Sequence, residues 1–360
     1  MFAAPLENHW INIADDKVES ISRRPAYALS RHLGEHSIVL PATVNAHAHL
    51  ELSQLSQTLN VPSRSMSDWI AALLAFRRSA DYDAKQGIRQ ALHRPEFVEA
   101  TGAVADIIPF EMANGKRLTA NETIKYLPFT ELIAWRNNKE HETLVSRYSF
   151  GLSPHAPHTV CPALLEKAVN QQVPLAMHLA ETLEEIELLR YHTGSFLEMM
   201  RRADPDYDPK SVLLGKRPMD YLQLLSAAPK SFIIHGNYLD EEELRFLAVH
   251  RETMSVVYCP RSHAYFQHKT YPLQKMLDFG VRVLLGTDSL ASTPDLSLIA
   301  EMEFVQYRYP ALLPEIIYRL GTVEGATAFD LLQEGLGTIQ SGSPARFAIA
   351  NGQDSISALP

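Results

Sequence analysis

Short apolar runs recur along the chain, and most of them end in a polar side chain. The residues within a run are almost continuously apolar, which is typical of strands covered on both faces. The clearest runs, with the polar residue near each end, are Ser37–Leu50 (His47, His49), Arg147–Val160 (His155), Val173–Thr182 (His178, Glu181), Ser231–Leu239 (His235), Met254–His263 (His263) and Val281–Ser292 (Asp288). Weaker runs are Val104–Phe110 and Leu127–Trp135.

Helical patterns separate these runs. Ser67 and Asp68 predict the start of a helix over Trp69–Ala80. Thr182–His192 carries acidic residues early and basic residues late, as the helix dipole favours, and Asp240–Glu243 opens another helix in the same way. Strand and helix alternate about eight times, which predicts an α/β fold with a parallel sheet closed into a (β/α)₈ barrel of the TIM type.

The two ends of the chain interrupt this alternation. We expect residues 1–40 and 336–360 to form the two parts of a small β appendage beside a barrel over residues 41–335. The strand-like pieces in these ends are His9–Ile13, Lys17–Ile21, Tyr27–Leu29 and Arg346–Ala350. Substrate specificity is expected to reside in three connections between strands and helices, of which Arg201–Ala228 could form part of a lid. These connections are Asn60–Asp83, Thr130–Asn138 and Arg201–Ala228.

Charge and cysteine content narrow the function classes. The 360 residues include 33 Lys plus Arg and 42 Asp plus Glu, a net charge of −9, which argues against nucleic acid or an anionic membrane as a partner. Cys161 and Cys259 are far apart and fit buried thiols in a reducing compartment. The N-terminus does not resemble a signal peptide, and no apolar run approaches the roughly 20 residues of a membrane span. A cytoplasmic location is expected, and a homo-oligomer is left open.

The polar residues at the strand ends predict a metal site. His47 and His49 are two residues apart on a strand, so both imidazoles share a face. Alone, each candidate has an ordinary interpretation: a core or surface histidine, or an N-cap in the case of Asp288. His47, His49, His178, His235 and Asp288 all lie at strand ends, where barrel enzymes carry their catalytic groups. This coincidence favours a catalytic metal site of the kind that imidazole ligands form with zinc.

Six segments resemble the amidohydrolase superfamily in type and order. They read PATVNAHAHLELS, SPHAPHTV, MHLAET, IIHG, YCPRSH and LGTDSLAS, and the resemblance extends from about residue 37 to about residue 345. The branch is the one with adenosine-type and S-adenosylhomocysteine deaminases, guanine and cytosine deaminases and triazine chlorohydrolases. The NAHAHLELS and CPRSH forms look closest to the aminodeoxyfutalosine deaminase-like group.

The resemblance implies one divalent metal ion with four ligands: His47, His49, His178 and Asp288. Zinc is the expected ion, although iron or manganese would accept the same ligands. The strand Arg147–Pro154 does not end in a lysine, so the carbamylated lysine bridge of two-metal relatives is not expected.

The resemblance also implies catalytic and substrate-binding roles. Glu181 becomes the general acid/base, and Asp288 shares in proton transfer. His235 bonds the attacking water or the tetrahedral intermediate, and in some relatives it contacts the metal. His155 resembles a substrate-contacting histidine, and His263 stands where many relatives carry Asn.

The H-x-x-E element formed by His178 and Glu181 favours deamination, because a cyclic amidine needs its ring nitrogen protonated. We therefore expect a metal-dependent hydrolase that uses an activated water to deaminate an adenine-type nucleoside derivative. One alternative is hydrolysis of another cyclic C–N bond or a triazine-type chlorohydrolase or aminohydrolase reaction. Another is an inactive barrel that serves as a binding protein, which the complete set of implied ligands argues against.

Some residues depart from the family pattern or are given ordinary interpretations. The usual Gly-x-x-Ala-Asp is replaced by Gly342 to Arg346, GSPAR, which puts the appendage in doubt. Histidines in polar surroundings, His268 among them, are expected to be solvated. His158 is expected to support the site or a loop rather than to bind metal.

Overall fold

The computed structural model describes residues 5–27, 30–34, 36–61, 65–113, 123–136, 141–148 and 150–351. The strands are β1 (Trp10–Ala14), β2 (Lys17–Ser22), β3 (Ser37–Pro41), β4 (Thr43–Ala48), β5 (Thr101–Ile108), β6 (Lys125–Leu132), β7 (Gly151–Pro154), β8 (Leu175–Leu179), β9 (Ser231–His235), β10 (Met254–Tyr258), β11 (Val283–Leu285) and β12 (Phe347–Asn351).

Helices follow most of the barrel strands. They are α1 (Met66–Arg77), α2 (Ala84–Ala91), α3 (Pro95–Val98), α4 (His141–Val145), α5 (Pro162–Asn170), α6 (Leu183–Tyr191), α7 (Ser195–Ala203), α8 (Pro209–Val212), α9 (Pro218–Leu225), α10 (Glu241–Val249), α11 (Pro260–Tyr265), α12 (Leu273–Phe279), α13 (Leu298–Arg308), α14 (Pro314–Leu320) and α15 (Val323–Ala328). Short 3₁₀ turns cover Leu50–Leu52, Phe110–Met112 and Leu332–Glu334.

Strands β4 to β11 form an eight-stranded parallel sheet in chain order. The two edge strands meet where Ala48 pairs with Asp288, and the N–H groups of Thr287 and Asp288 both lie 3.1 Å from the carbonyl oxygen of His47. These contacts bring the sheet round into a barrel, so the predicted (β/α)₈ fold is confirmed. Every residue of β4, β5, β8, β9 and β10 is buried, which agrees with the mostly apolar sequences of β5, β8, β9 and β10. In β4 the polar residues Thr43, Asn45 and His47 are buried as well.

The helix starts agree with the sequence in two cases and differ in one. The side chain of Thr182 caps α6, and Asp240 caps α10 in a capping box with Glu243. The helix predicted from Trp69 begins earlier, at Met66, because Ser65 rather than Ser67 accepts the hydrogen bond from the N–H of Asp68. The local sequence offers several serines that could cap this helix.

Both ends of the chain contribute to small antiparallel sheets outside the barrel. β1 pairs with β2, and β3 pairs with β12. The GSPAR segment does not prevent this, since the N–H of Gly342 donates to Val18 O (2.8 Å) and the N–H of Val18 donates to Ser343 O (2.9 Å). The doubt raised by that segment is thereby removed, whereas the exact domain boundaries stay a prediction.

Two of the sequence predictions near the N-terminus need correction. The apolar run from Ser37 is two strands, because β3 belongs to the appendage and β4 to the barrel, with the chain crossing between them at Ala42. Tyr27 lies in a bend rather than a strand, and residues 28 and 29 lie outside the described residues. The described part of the chain holds no helix with the length and apolar character that a membrane crossing requires.

Candidate metal centre and active site

Four histidines and an aspartate converge at the C-terminal ends of the barrel strands. His47 lies in β4, His178 in β8 and His235 at the end of β9, while His49 and Asp288 follow β4 and β11. The Nε2 atoms of His49 and His178 are 3.4 Å apart, and His47 Nε2 is 3.8 Å from Asp288 Oδ1. Nitrogen atoms of His47, His178 and His235 lie within 4.8 Å of one another, as do ligand atoms of His47, His49 and Asp288. All five predicted candidates therefore share one site.

The electrostatics of this cluster suit a divalent cation. Burial, together with the neighbouring imidazoles, lowers the pKa of His47 and His49 well below the usual value, so both rings are uncharged at neutral pH. The 3.8 Å contact of His47 with Asp288 is for this reason not a salt bridge. No described residue gives the buried His47 Nε2 a hydrogen-bond partner. Uncharged imidazoles that face one another and a carboxylate are a donor set that a metal ion fits.

Asp288 is oriented by two serine hydroxyls. Ser262 Oγ donates to Asp288 Oδ2 at 2.6 Å, and Ser292 Oγ donates to the same oxygen at 3.1 Å. The other oxygen, Oδ1, faces His47. Burial raises the pKa of Asp288 to about 6, and the two serine hydroxyls work against this rise. One oxygen is thus fixed by the protein, and the other is left for the cluster.

Glu181 lies beside the cluster and contacts His235. Its Oε1 is 3.3 Å from His235 Nε2. Burial, and next the charge of Asp288, raises the pKa of Glu181 well above its usual value, while burial lowers that of His235. The backbone N–H groups of Ala180 and Glu181 donate to the buried carboxylate of Glu185 at 2.8 and 2.9 Å, which fixes the direction in which Glu181 leaves β8.

Three residues of the site have left-handed backbone conformations. The φ angles are +54° at Ala180, +69° at His235 and +60° at Asp288. Such conformations cost a non-glycine residue of the order of 1 kcal/mol or more, and they concentrate at functional sites. They turn the chain sharply at the ends of β8 and β9 and after β11, so that the side chains point into the barrel mouth.

His155 lies next to the cluster, on the side away from Glu181. Its ring centroid is 5.0 Å from that of His178, and its carbonyl oxygen accepts a hydrogen bond from His178 Nδ1 at 3.1 Å. Burial lowers the pKa of His155 to about 4. Its Nε2 is 4.0 Å from Oε1 of Glu131, a residue near the end of β6 that the sequence did not single out.

His263 and His268 form a second, smaller group of histidines. Their ring centroids are 5.3 Å apart, and the Nε2 atom of each is buried without a hydrogen-bond partner among the described residues. The expectation that His268 is solvated is wrong, because Phe266 and Tyr238 cover it and the Tyr238 hydroxyl lies 3.2 Å from its Nδ1. Both histidines lie close enough to His235 to lower its pKa.

The sequence profile of the Amidohydrolase family matches residues 38–359. The chain belongs to the amidohydrolase family. The expected enzyme class, a hydrolase of the amidohydrolase kind, is confirmed by this match. Members of the family depend on a metal ion, and the His/Asp cluster agrees with that dependence.

Relatives of this amidohydrolase include several deaminases. The 5-methylthioadenosine/S-adenosylhomocysteine deaminase of Pyrococcus furiosus is 28% identical over 351 residues, which cover 87% of this chain and 75% of the relative. The aminodeoxyfutalosine deaminase of Deinococcus radiodurans is 26% identical over 332 residues, covering 85% and 76%.

Solved structures share the fold of this amidohydrolase. Helicobacter pylori aminofutalosine deaminase in complex with methylthio-coformycin has a TM-score of 0.78 at 21% identity, covering 96% of this chain and 87% of that one. An adenosine deaminase from Xanthomonas campestris with bound zinc has a TM-score of 0.73 at 21% identity, covering 96% and 80%. At these identities the likeness concerns the barrel and its appendage rather than the substrate.

Proposed function

We propose that this amidohydrolase deaminates an adenine-type nucleoside derivative by hydrolysis. The observation that carries the proposal is the contact of Glu181 with His235 at the edge of the His/Asp cluster. A carboxyl group that burial keeps protonated can donate to a ring nitrogen, and attack of water on the adjacent carbon of a cyclic amidine requires that protonation. Relatives named for deamination of adenine-type nucleosides support this substrate class.

The proposed ligands of the metal ion are His47, His49, His178 and Asp288. When bound, the ion lowers the pKa of its water to about 7 and so makes hydroxide available at neutral pH. Zinc is the proposed ion, which the zinc-containing adenosine deaminase of the same fold supports. His235 is close enough to His47 and His178 to bind the same ion, and its contact with Glu181 equally suits a hydrogen bond to the attacking water.

The proposed reaction needs proton transfers at stated atoms. Asp288 Oδ1 and His235 Nε2 orient the attacking water and take its proton as its oxygen bonds to the carbon that carries the amino group. Glu181 gives its proton to the neighbouring ring nitrogen in the same step. The C–N bond to the amino group then breaks as the proton taken from the water passes from Asp288 or His235 to the departing nitrogen, which leaves as ammonia. The hydroxyl proton of the intermediate returns to Glu181, so that the carbonyl forms and the acid is regenerated. His155 and His263 are proposed to contact the substrate.

A nucleoside panel tests the proposal. Purified protein loaded with zinc is assayed with adenosine, 5′-methylthioadenosine and S-adenosylhomocysteine by loss of adenine absorbance and release of ammonia, and the metal content is measured. We expect turnover with about one ion per chain, lost on chelation and in His49→Ala, and retained in His93→Ala, whose ring is exposed.

Three results would contradict the proposal in different ways. Metal-loaded protein without turnover of any adenine nucleoside would overturn it, and turnover of a triazine or another cyclic amidine in its place would favour the alternative hydrolase. Absence of bound metal, with the stability of His47→Ala unchanged, would favour a binding protein.

A further inference from the structure

Glu131 and His155 face each other across a gap beside the catalytic cluster. Glu131 Oε1 and His155 Nε2 are 4.0 Å apart, too far for a hydrogen bond between them. The side chain of Glu131 is only 9% exposed, and that of His155 is 27% exposed. A carboxylate so nearly enclosed loses stability unless donors satisfy it.

Thr159 holds the ring of His155 in place, since Thr159 Oγ1 lies 2.8 Å from His155 Nδ1 and 3.1 Å from the carbonyl oxygen of Ala156. The other ring nitrogen, Nε2, therefore faces Glu131 across the gap. Carboxyl oxygens accept hydrogen bonds, so the space beside Glu131 suits a ligand that donates them.

An ion pair between Arg77 and Glu51 lies near Glu131. Arg77, the last residue of α1, donates to Oε1 of Glu51 at 2.5 Å, and the Glu51 side chain is fully buried. Although burial lowers the pKa of Arg77, the charges of Glu51 and Glu131 more than offset it and raise that pKa. The positive charge of Arg77 therefore lies near Glu131.

The position of the pair around the rim indicates which part of a nucleoside it meets. Glu131 lies on β6, one strand from His155 and two from His178, whereas Glu181 and His235 lie on the opposite side of His178. Strand spacing puts the pair about 5 to 10 Å from His178. That offset matches the distance from the amino-bearing carbon of a purine to the hydroxyl groups of its sugar.

We propose that Glu131, assisted by His155, binds the vicinal hydroxyl groups of the substrate's sugar and makes the enzyme selective for ribonucleosides. This inference rests on the proposed deaminase function and adds a residue that determines specificity. A carboxylate accepts two hydroxyl hydrogens at once, and hydrogen bonds to charged groups are the stronger kind. A site built for such bonds rejects an analogue that lacks them, because its polar groups are left unpaired.

The test compares adenosine with 2′,3′-dideoxyadenosine in the wild type, Glu131→Gln and Glu166→Gln. The last is a matched control, since it makes the same change on the exposed side of α5. We expect the wild type and Glu166→Gln to favour adenosine in kcat/KM by about 10- to 100-fold. Glu131→Gln should lose most of this preference through weaker turnover of adenosine, with the dideoxy substrate little affected.

Equal preference in the wild type and in Glu131→Gln, or no preference in the wild type, would overturn the inference. The wild-type comparison needs no variant, so an absence of preference overturns the inference even if Glu131→Gln does not fold. If neither nucleoside is deaminated, the proposed function fails, and calorimetry with the unreactive inosine and 2′,3′-dideoxyinosine still tests the subsite. Tighter binding of inosine, lost in Glu131→Gln, would support it, and equal binding would overturn it.

Discussion

Asn45 and Thr287 form two hydrogen bonds across the seam, where β4 meets the chain after β11 and the barrel closes. Asn45 Nδ2 donates to Thr287 Oγ1 at 2.8 Å, and the backbone N–H of Thr287 donates to Asn45 Oδ1 at 3.1 Å. Both residues are fully buried. Asn45 is two residues before His47, and Thr287 directly precedes Asp288, so the seam fixes the relative positions of two proposed metal ligands from opposite ends of the sheet.

Replacing Asn45 should weaken both the fold and the metal site. We expect Asn45→Ala to lower the free energy of unfolding by about 1–3 kcal/mol, because the buried Thr287 Oγ1 loses the donor Asn45 Nδ2 and the Thr287 N–H keeps only its contact with the carbonyl oxygen of His47. Thr287→Val keeps the backbone hydrogen bond and should cost less. Urea unfolding and zinc titration measure the two effects. If Asn45→Ala were as stable as Thr287→Val, the Asn45 side chain would not be what stabilises the seam.

Ser262 should tune metal affinity through Asp288. We expect Ser262→Ala to weaken zinc binding about 10- to 100-fold, since groups that orient a ligand have effects of this size. Ser292→Ala, whose hydroxyl is farther from Oδ2, should have a smaller effect, and the exposed Ser79→Ala none. Competition with a chelator gives the affinities. Unchanged affinity in the double variant would exclude this role.

Glu181→Gln should separate turnover from metal binding. We expect kcat to fall about 10²- to 10⁴-fold, because the amide cannot protonate the ring nitrogen. Metal content and melting temperature should stay as in the wild type. Glu187→Gln makes the same change on the exposed face of α6 and serves as the control. Turnover close to wild type in Glu181→Gln would remove Glu181 from the reaction.

Asp204 should add stability that disappears in acid. Arg136 Nε and the Trp135 indole each donate to Asp204 Oδ2 at 2.8 Å, and the hydrogen bond from Arg136 is the largest cause that lowers the pKa of Asp204 to about 2. A pKa below its unfolded value means that the stabilisation is present above about pH 4 and is lost as the pH falls towards about 2.

The comparison with Asp204→Asn reveals this dependence. The melting temperature of the wild type should exceed that of the variant at pH 6, and the difference should shrink steadily between about pH 4 and pH 2. A difference that is constant across this range would mean that the carboxylate's charge is not what stabilises the contact between the β6–α4 connection and the end of α7.

The strand ends could be predicted because strands buried on both faces have almost continuously apolar sequences. The runs ending at His178 and His235 are continuous apolar segments, the run ending at His47 is mostly apolar, and barrel strands are observed at all three places. Asp288 could be predicted for the same reason, since a carboxylate after a wholly apolar strand needs a cation nearby.

The contacts that orient these residues could not be predicted, because they join distant parts of the chain. Asn45 and Thr287 are 242 residues apart, and Ser262 is 26 residues from Asp288. Ser262 at least lies inside the YCPRSH segment, which was a usable signal. No such signal pointed to the burial of His268, since residues around it in the sequence are polar and its contact with the ring of Tyr238 exists only in the folded chain.

The left-handed backbone at three strand ends limits how far this protein can be made more rigid. At His235 and Asp288 the imidazole and the carboxylate are required, so glycine, the residue that relaxes this conformation, is unavailable to them. Ala180 contributes no functional side chain, so glycine can be tested there. Selection for heat resistance should therefore enrich Ala180→Gly, whereas His235 and Asp288 should keep their strained backbone. The catalytic rim is thus the part of the barrel that evolution can stabilise least.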